Sequence, residues 1–187
     1  MILLQSPSLV INAHDVPSPR YLMWKNVDAK AGMTPAETVA VILSANLFAL
    51  AQASSRLLNI VINCHGDDGG LSVGGLGKPS INITNVGLFA ALRSLNLGTI
   101  WLISSETAKS PYGKQFCHEL ARASGSQVVA SDSGQHIDVW ANKRIRISRH
   151  LNRPGLIDEF EGNVYGFTPS AGMYRCDPHS DIFTTLE

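Results

Sequence analysis

The chain has 187 residues, 44% apolar and 16% charged, with 15 basic and 15 acidic side chains in balance. That length fits one domain, the composition supports a buried core and excludes disorder, and a net charge of zero gives no electrostatic reason to expect nucleic acid or a membrane surface as partner. The three cysteines, Cys64, Cys117 and Cys176, make no disulfide framework and point to a reducing compartment.

Met1-Ile2-Leu3-Leu4 lacks a basic region and meets Pro7 at once, so it does not read as a signal peptide. No uninterrupted apolar run approaches the roughly 20 residues of a membrane span. Leu9–Ala13 reads as a first strand, and Tyr21–Trp24 as a second after Pro17 and Pro19. Thr34-Pro35-Ala36-Glu37 is a strong helix start, with Thr34 as cap, Pro35 in the first turn and Glu37 closing a capping box. Val39, Leu43, Leu47, Leu50 and Leu57 then fall on one stripe and predict the buried face of a helix to about residue 56.

Asn59–Asn63 is short, apolar and β-branched, the pattern of a buried parallel strand, and it runs into Cys64-His65-Gly66. The glycine-rich stretch 66–77 lacks the Gly-Lys-Ser/Thr of a phosphate loop and meets Lys78-Pro79, so it reads as a loop or hairpin beside a site. Residues 84–97 predict a helix capped by Thr84-Asn85, striped by Leu88, Leu92 and Leu95 and stopped at Gly98. Thr99–Ile103 repeats the buried-strand pattern and leads to Ser104-Ser105. Ser110-Pro111 opens another helix, with Phe116, Leu120 and Ala123 inward and Gly125 as its stop; Gln127–Ala130 is a fifth strand.

Alternation of strands and helices to residue 132 predicts an α/β fold, a parallel sheet covered by helices on both faces. The core spans about 9–132. Beyond it, 137–147 reads as an antiparallel hairpin, Glu161–Phe167 as a short strand or loop, and the tail from Pro169 as mostly irregular.

Strand, helix, strand is a right-handed crossover, so His65-Gly66 and Ser104-Ser105 should meet at the carboxyl ends of neighbouring strands, where open α/β sheets place their sites. Imidazole is the usual base near neutral pH, and Gly66 can lend an N–H to an oxyanion. His65 could equally just finish a strand, and Ser104-Ser105 just cap a turn. Ser105 needs an oriented base to act as a nucleophile. Asp67, Asp68 and Asp132 are candidates to orient it, and could also line a pocket for Arg or Lys, or cap turns. Cys64 and Cys117 read as core. Metal binding by His65, Asp67, Asp68, His118 and His136 lacks any zinc-type spacing. Lys143, Arg144, Arg146, Arg149, His150 and Arg153 form a basic run, a solvated face or an anion site.

Two blocks carry a resemblance. Ile60-Val61-Ile62-Asn63-Cys64-His65-Gly66, followed by Ile100-Trp101-Leu102-Ile103-Ser104-Ser105, resembles the caspase-like (clan CD) cysteine peptidases, whose second block ends in cysteine. Ser105-Glu106-Thr107-Ala108, Gly113, Phe116, Leu120-Ala121, Ser124-Gly125 and Val128–Ser131 look like a bacterial caspase-like domain, with Ser105 in the cysteine's place. The likeness covers about residues 59–132.

It implies a single caspase-like domain, a three-layer sandwich with a mostly parallel sheet of about six strands flanked by helices, and a Cys-His endopeptidase acting on protein or peptide substrates. In it His65 is the acid/base, Ser105 the nucleophile position and Gly66 an oxyanion donor. It implies no metal and no obligatory cofactor; a related toxin-processing domain uses inositol hexakisphosphate, and the basic run is only loosely similar to its effector region. A bacterial effector or toxin-processing role, cytoplasmic or exported without a cleavable signal, fits. Serine at position 105 departs from that pattern and implies an inactive form, introduced to trap the enzyme, or a natural replacement. The alternatives are a natural pseudoenzyme that binds through the same cleft, and a Ser-His hydrolase, although the Gly-x-Ser-x-Gly elbow is absent.

Overall fold

The computed structural model describes residues 2–16, 20–77, 80–135, 155–170 and 172–176. The predicted hairpin over 137–147, the basic run from Lys143 and His136 lie outside them.

The central sheet uses β2 (Ser8–Asn12), β3 (Lys25–Asp28), β4 (Asn59–Asn63), β8 (Thr99–Ile103), β9 (Val128–Ser131), β11 (Val164–Phe167) and β12 (Met173–Cys176). Among the described residues it has seven strands in the order β12-β11-β9-β8-β4-β2-β3. The five from β3 to β9 are parallel; β11 and β12 are antiparallel to their neighbours. The second strand therefore lies at Lys25–Asp28 rather than Tyr21–Trp24. Tyr21 and Met23 instead pack as buried side chains in a connection. The tail is not irregular throughout, since Met173–Cys176 pairs with β11.

The helices are α1 (Pro35–Ala53), a 3₁₀ helix at Val86–Leu95, and α2 (Pro111–Ser124). Thr34 caps α1 through the predicted box: its Oγ1 accepts from Glu37 N–H and Glu37 Oε2 accepts from Thr34 N–H. Ser110 caps α2, and Gly125 closes it in the left-handed region at φ 71° with its N–H on Ala121 O. Asn85 caps nothing; it ties Asn82 N–H and Ser80 O into a turn before the 3₁₀ helix, whose buried residues are Val86, Phe89 and Leu92, while Leu88 is 48% exposed.

Among the described residues the helices do not cover both faces. Residues Val39, Ile42 and Ala49 of α1, Phe89 and Leu92 of the 3₁₀ helix and Phe116 and Leu120 of α2 share one core with Ile11, Ile60, Ile62, Leu102 and Val128. The reason is direction. The connections β3 to β4, β4 to β8 and β8 to β9 all step the same way across the sheet, so right-handed crossovers place all three helices on one side. The step from β2 to β3 runs the other way and its connection lies on the opposite face. There Tyr21 and Met23 join Val10, Val61, Trp101 and Val129 in a second core. A two-stranded ribbon of β1 (Ile2–Leu4) and β10 (Gly155–Ile157) completes that layer.

The stripe predicted for the inward face of α1 is also corrected. The helix buries Val39, Ile42, Ala45, Asn46 and Ala49, whereas Leu47 and Leu50 are 68% and 48% exposed and Leu43 is half-buried. Small residues fit against the closely spaced β-branched side chains of the sheet, and the Asn46 carboxamide accepts from Leu57 N–H at 3.0 Å. By length and composition α1 (19 residues, mean hydropathy 1.4) could cross a bilayer, a measure that core helices also meet.

Candidate active site

A small antiparallel sheet sits at the carboxyl end of β4. It comprises β5 (His65–Asp67), β6 (Gly70–Ser72) and β7 (Ile81–Asn82), with β5 at its edge. The glycine-rich stretch is thus a hairpin that begins at His65 itself. Strands β4 and β8 are parallel neighbours with Asn63 opposite Ile103, and Cys64 N–H continues the ladder to Ile103 O at 3.2 Å. The two predicted blocks consequently leave the sheet side by side.

Gly66 is where they touch. A Cβ at this position would stand 2.7 Å from Ser104 Cβ and 2.8 Å from both Ser105 O and Thr107 Oγ1. Only a residue without a side chain lets the β5 backbone approach the turn after β8 so closely. The turn is internally fixed. Ser104 and Thr107 share a 2.6 Å hydroxyl hydrogen bond, Glu106 takes a left-handed φ of 58°, Glu106 N–H donates to Ser133 O at 2.9 Å, and Ala108 N–H to Ser131 O at 2.9 Å. Ser105 is half-buried, and its Oγ accepts from Gln135 N–H at 3.2 Å. No hydrogen bond joins Ser105 to His65.

His65 is held by a residue the sequence reading does not single out. Its Nε2 lies 3.3 Å from Asp15 O and 3.8 Å from Asp15 Oδ1. A carbonyl can only accept, so the contact places the proton on Nε2 and leaves Nδ1 as the unprotonated nitrogen. Asp15 follows β2, the other neighbour of β4, and is brought there by an asparagine ladder. Asn12 and Asn63 are paired in register; Asn63 Nδ2 donates to Asn12 Oδ1 at 2.9 Å, and Asn12 Nδ2 donates to Tyr21 O at 3.0 Å. Asp15 Oδ2 accepts from Leu76 N–H at 2.9 Å, while Oδ1 is buried without a hydrogen bond. Gly75, at φ 101°, packs so tightly on His14 and Asp15 that a Cβ would stand 2.4 Å from His14 Cε1. Spacing could not reveal Asp15, because its link to His65 crosses 50 residues and depends on strand order.

The other carboxylates are placed elsewhere. Asp68 Oδ1 accepts from Ser110 N–H at 2.9 Å at the start of α2. Partial burial would raise this carboxyl, but hydrogen bonds from Ser110 and Gly113, with Lys109 nearby, hold it below the usual carboxylate range. Asp132 binds Asn163 through N–H at 2.9 Å and Nδ2 at 2.8 Å, and those bonds, with Ser133 and Lys114, outweigh burial and lower its carboxyl too. Both therefore anchor structure rather than orient His65. Asp67 is exposed on β5, beside His65 in sequence.

Cys64 and Cys117 are buried and their thiols are pushed well above the ordinary range by desolvation, so both are core residues, not nucleophiles. Among the described residues no group of three His, Cys, Asp or Glu side chains is gathered to hold a metal ion. No protein-family model, no curated protein and no solved structure matches the chain.

Proposed function

We propose that the chain carries the dyad scaffold of a caspase-like cysteine endopeptidase, with Ser105 occupying the nucleophile position and leaving it inactive. The observation that carries this reading is the seating of Gly66 against Ser104, Ser105 and Thr107, with His65 on the same strand and tethered to Asp15. A histidine and a nucleophile position at the carboxyl ends of adjacent parallel strands is what the two-block resemblance requires.

With cysteine at 105, the thiolate would attack a peptide carbonyl and Gly66 N–H, on the open edge of its sheet, would face the developing oxyanion. His65, having taken the thiol proton on Nδ1, would pass it to the leaving amine as the C–N bond breaks, and water would then hydrolyse the thioester to free the enzyme. Asp15 fixes the imidazole tautomer for that transfer. The substrate is a protein or peptide; exposed Asp67 is available to favour a basic residue at the cleaved position.

A second reading has its own support. Ser105 Oγ accepts from the Gln135 backbone and makes no bond to His65, so the serine lacks the activation a Ser-His hydrolase needs. That favours a binding module over a serine hydrolase. Converting Ser105→Cys and asking whether a thiol-directed peptide probe labels the protein in a His65-dependent way separates the two.

A further inference from the structure

The outward face of α1 is the surface that solvent contact does not explain. After Glu37 the helix carries no charged residue to its end at Ala53. Its exposed or half-buried positions include Ala36, Ala40, Leu43, Leu47 and Leu50. Their spacing alternates four, three, four, three, which is the repeat of a coiled-coil seam rather than of a solvated face. Small Ser44 and Ala51 flank it, and a groove of about 450 Å³ runs alongside, with Val27, Met33, Ala40, Val41 and Ser44 on its apolar wall and Asp28, Lys30 and Glu37 at its charged end. A helix apolar on both faces is the kind that buries both, in a core, an interface or a membrane.

We propose that α1 pairs, antiparallel and about a twofold axis, with α1 of a second copy of this chain. The seam is complementary to itself in that direction. Turning it about the level of Ala45 sets Leu43 against Leu47 of the copy and Ala40 against Leu50, so each large end side chain meets a small one next to the groove. Charge agrees with direction. The acidic first turn at Glu37, already paired with Lys30 at 2.7 Å, comes to lie near Arg56 just past the last turn of the copy, and the uncharged stretch between them contains no like-charge contact. Antiparallel pairing also opposes the two helix dipoles. Phe48, 41% exposed, is braced by Trp24 at 5.3 Å and by the Lys25 ammonium at 4.5 Å, giving the patch a rigid rim.

Analytical ultracentrifugation of the full chain over about 1–100 μM tests this. The expected result is a monomer–dimer equilibrium whose dissociation constant rises about 100-fold in Leu47→Glu, with the melting temperature of the monomer unchanged because Leu47 packs on little of its own chain. Direction is read independently. A short thiol cross-linker should join Ala40→Cys protein to Leu50→Cys protein in a mixture and should join neither to itself, the native cysteines being buried. A chain monomeric throughout the range, a dimer indifferent to Leu47→Glu, or cross-linking of each single variant to itself would overturn the pairing. So would a monomer that binds neutral phosphatidylcholine vesicles through Leu47, which would assign the face to lipid.

Discussion

At the residue scale the site rests on two contacts, one steric and one polar. Gly66→Ala would force a Cβ into the Ser105 carbonyl and the Thr107 hydroxyl, both part of a fixed turn. It should cost about 1–3 kcal/mol and lower the melting temperature by several degrees, read by thermal denaturation. Asp15 acts on His65. In a Ser105→Cys background, Asp15→Ala should lower kcat by about 10- to 100-fold, because the loop carrying the tethering carbonyl loses its bond to Leu76. An unchanged kcat would show that Asp15 has no part in placing the imidazole. The places of His65, Gly66 and Ser105 could be read from the chain because each follows a recognisable strand. Asp15 could not, because its role follows from β2 lying beside β4 in space.

Elements show the same division. Caps were legible wherever the capping side chain acts within its own turn, as at Thr34 and Ser110. The stripe of α1 was not, because two apolar stripes share that helix and the leucine-rich one is the outer. Asp68 extends capping across the chain by holding Ser110 and Gly113 from β5's hairpin turn. Its carboxyl lies lower in the folded state than in the unfolded chain, so its contribution is complete above the ordinary carboxylate range, near pH 4, and fades as pH falls through it. Asp68→Asn should therefore lose stability at pH 7 and show a flatter acid limb in melts taken from pH 7 to 3. On the other face, the Tyr21 hydroxyl donates to Asp158 Oδ2 at 2.8 Å across 137 residues, and burial first, then the Asp158 charge, raises that phenol well above its usual range. Tyr21→Phe removes a buried donor and should cost about 1–3 kcal/mol in chemical denaturation.

At the scale of the whole molecule, alternating strand and helix patterns make a parallel sheet legible, whereas the order β3-β2-β4-β8-β9 and the place of β3, which no helix separates from β2, are set by the fold. The one-sided distribution of the helices is set by the direction of each crossover, which no local pattern records. The same topology brings the carboxyl ends of β2, β4 and β8 to one edge, where Asp15, His65 and Ser105 gather from three separate segments. It leaves the outer stripe of α1 on the molecular surface, available to a second copy.

The most direct test of the central claim is labelling of Ser105→Cys protein by a peptide probe that captures active-site thiols, compared with the same protein carrying His65→Ala and with the serine form. Labelling and peptide cleavage by the cysteine form alone, lost with His65, is the predicted result. A folded cysteine form that neither labels nor cleaves, with and without inositol hexakisphosphate, would contradict it.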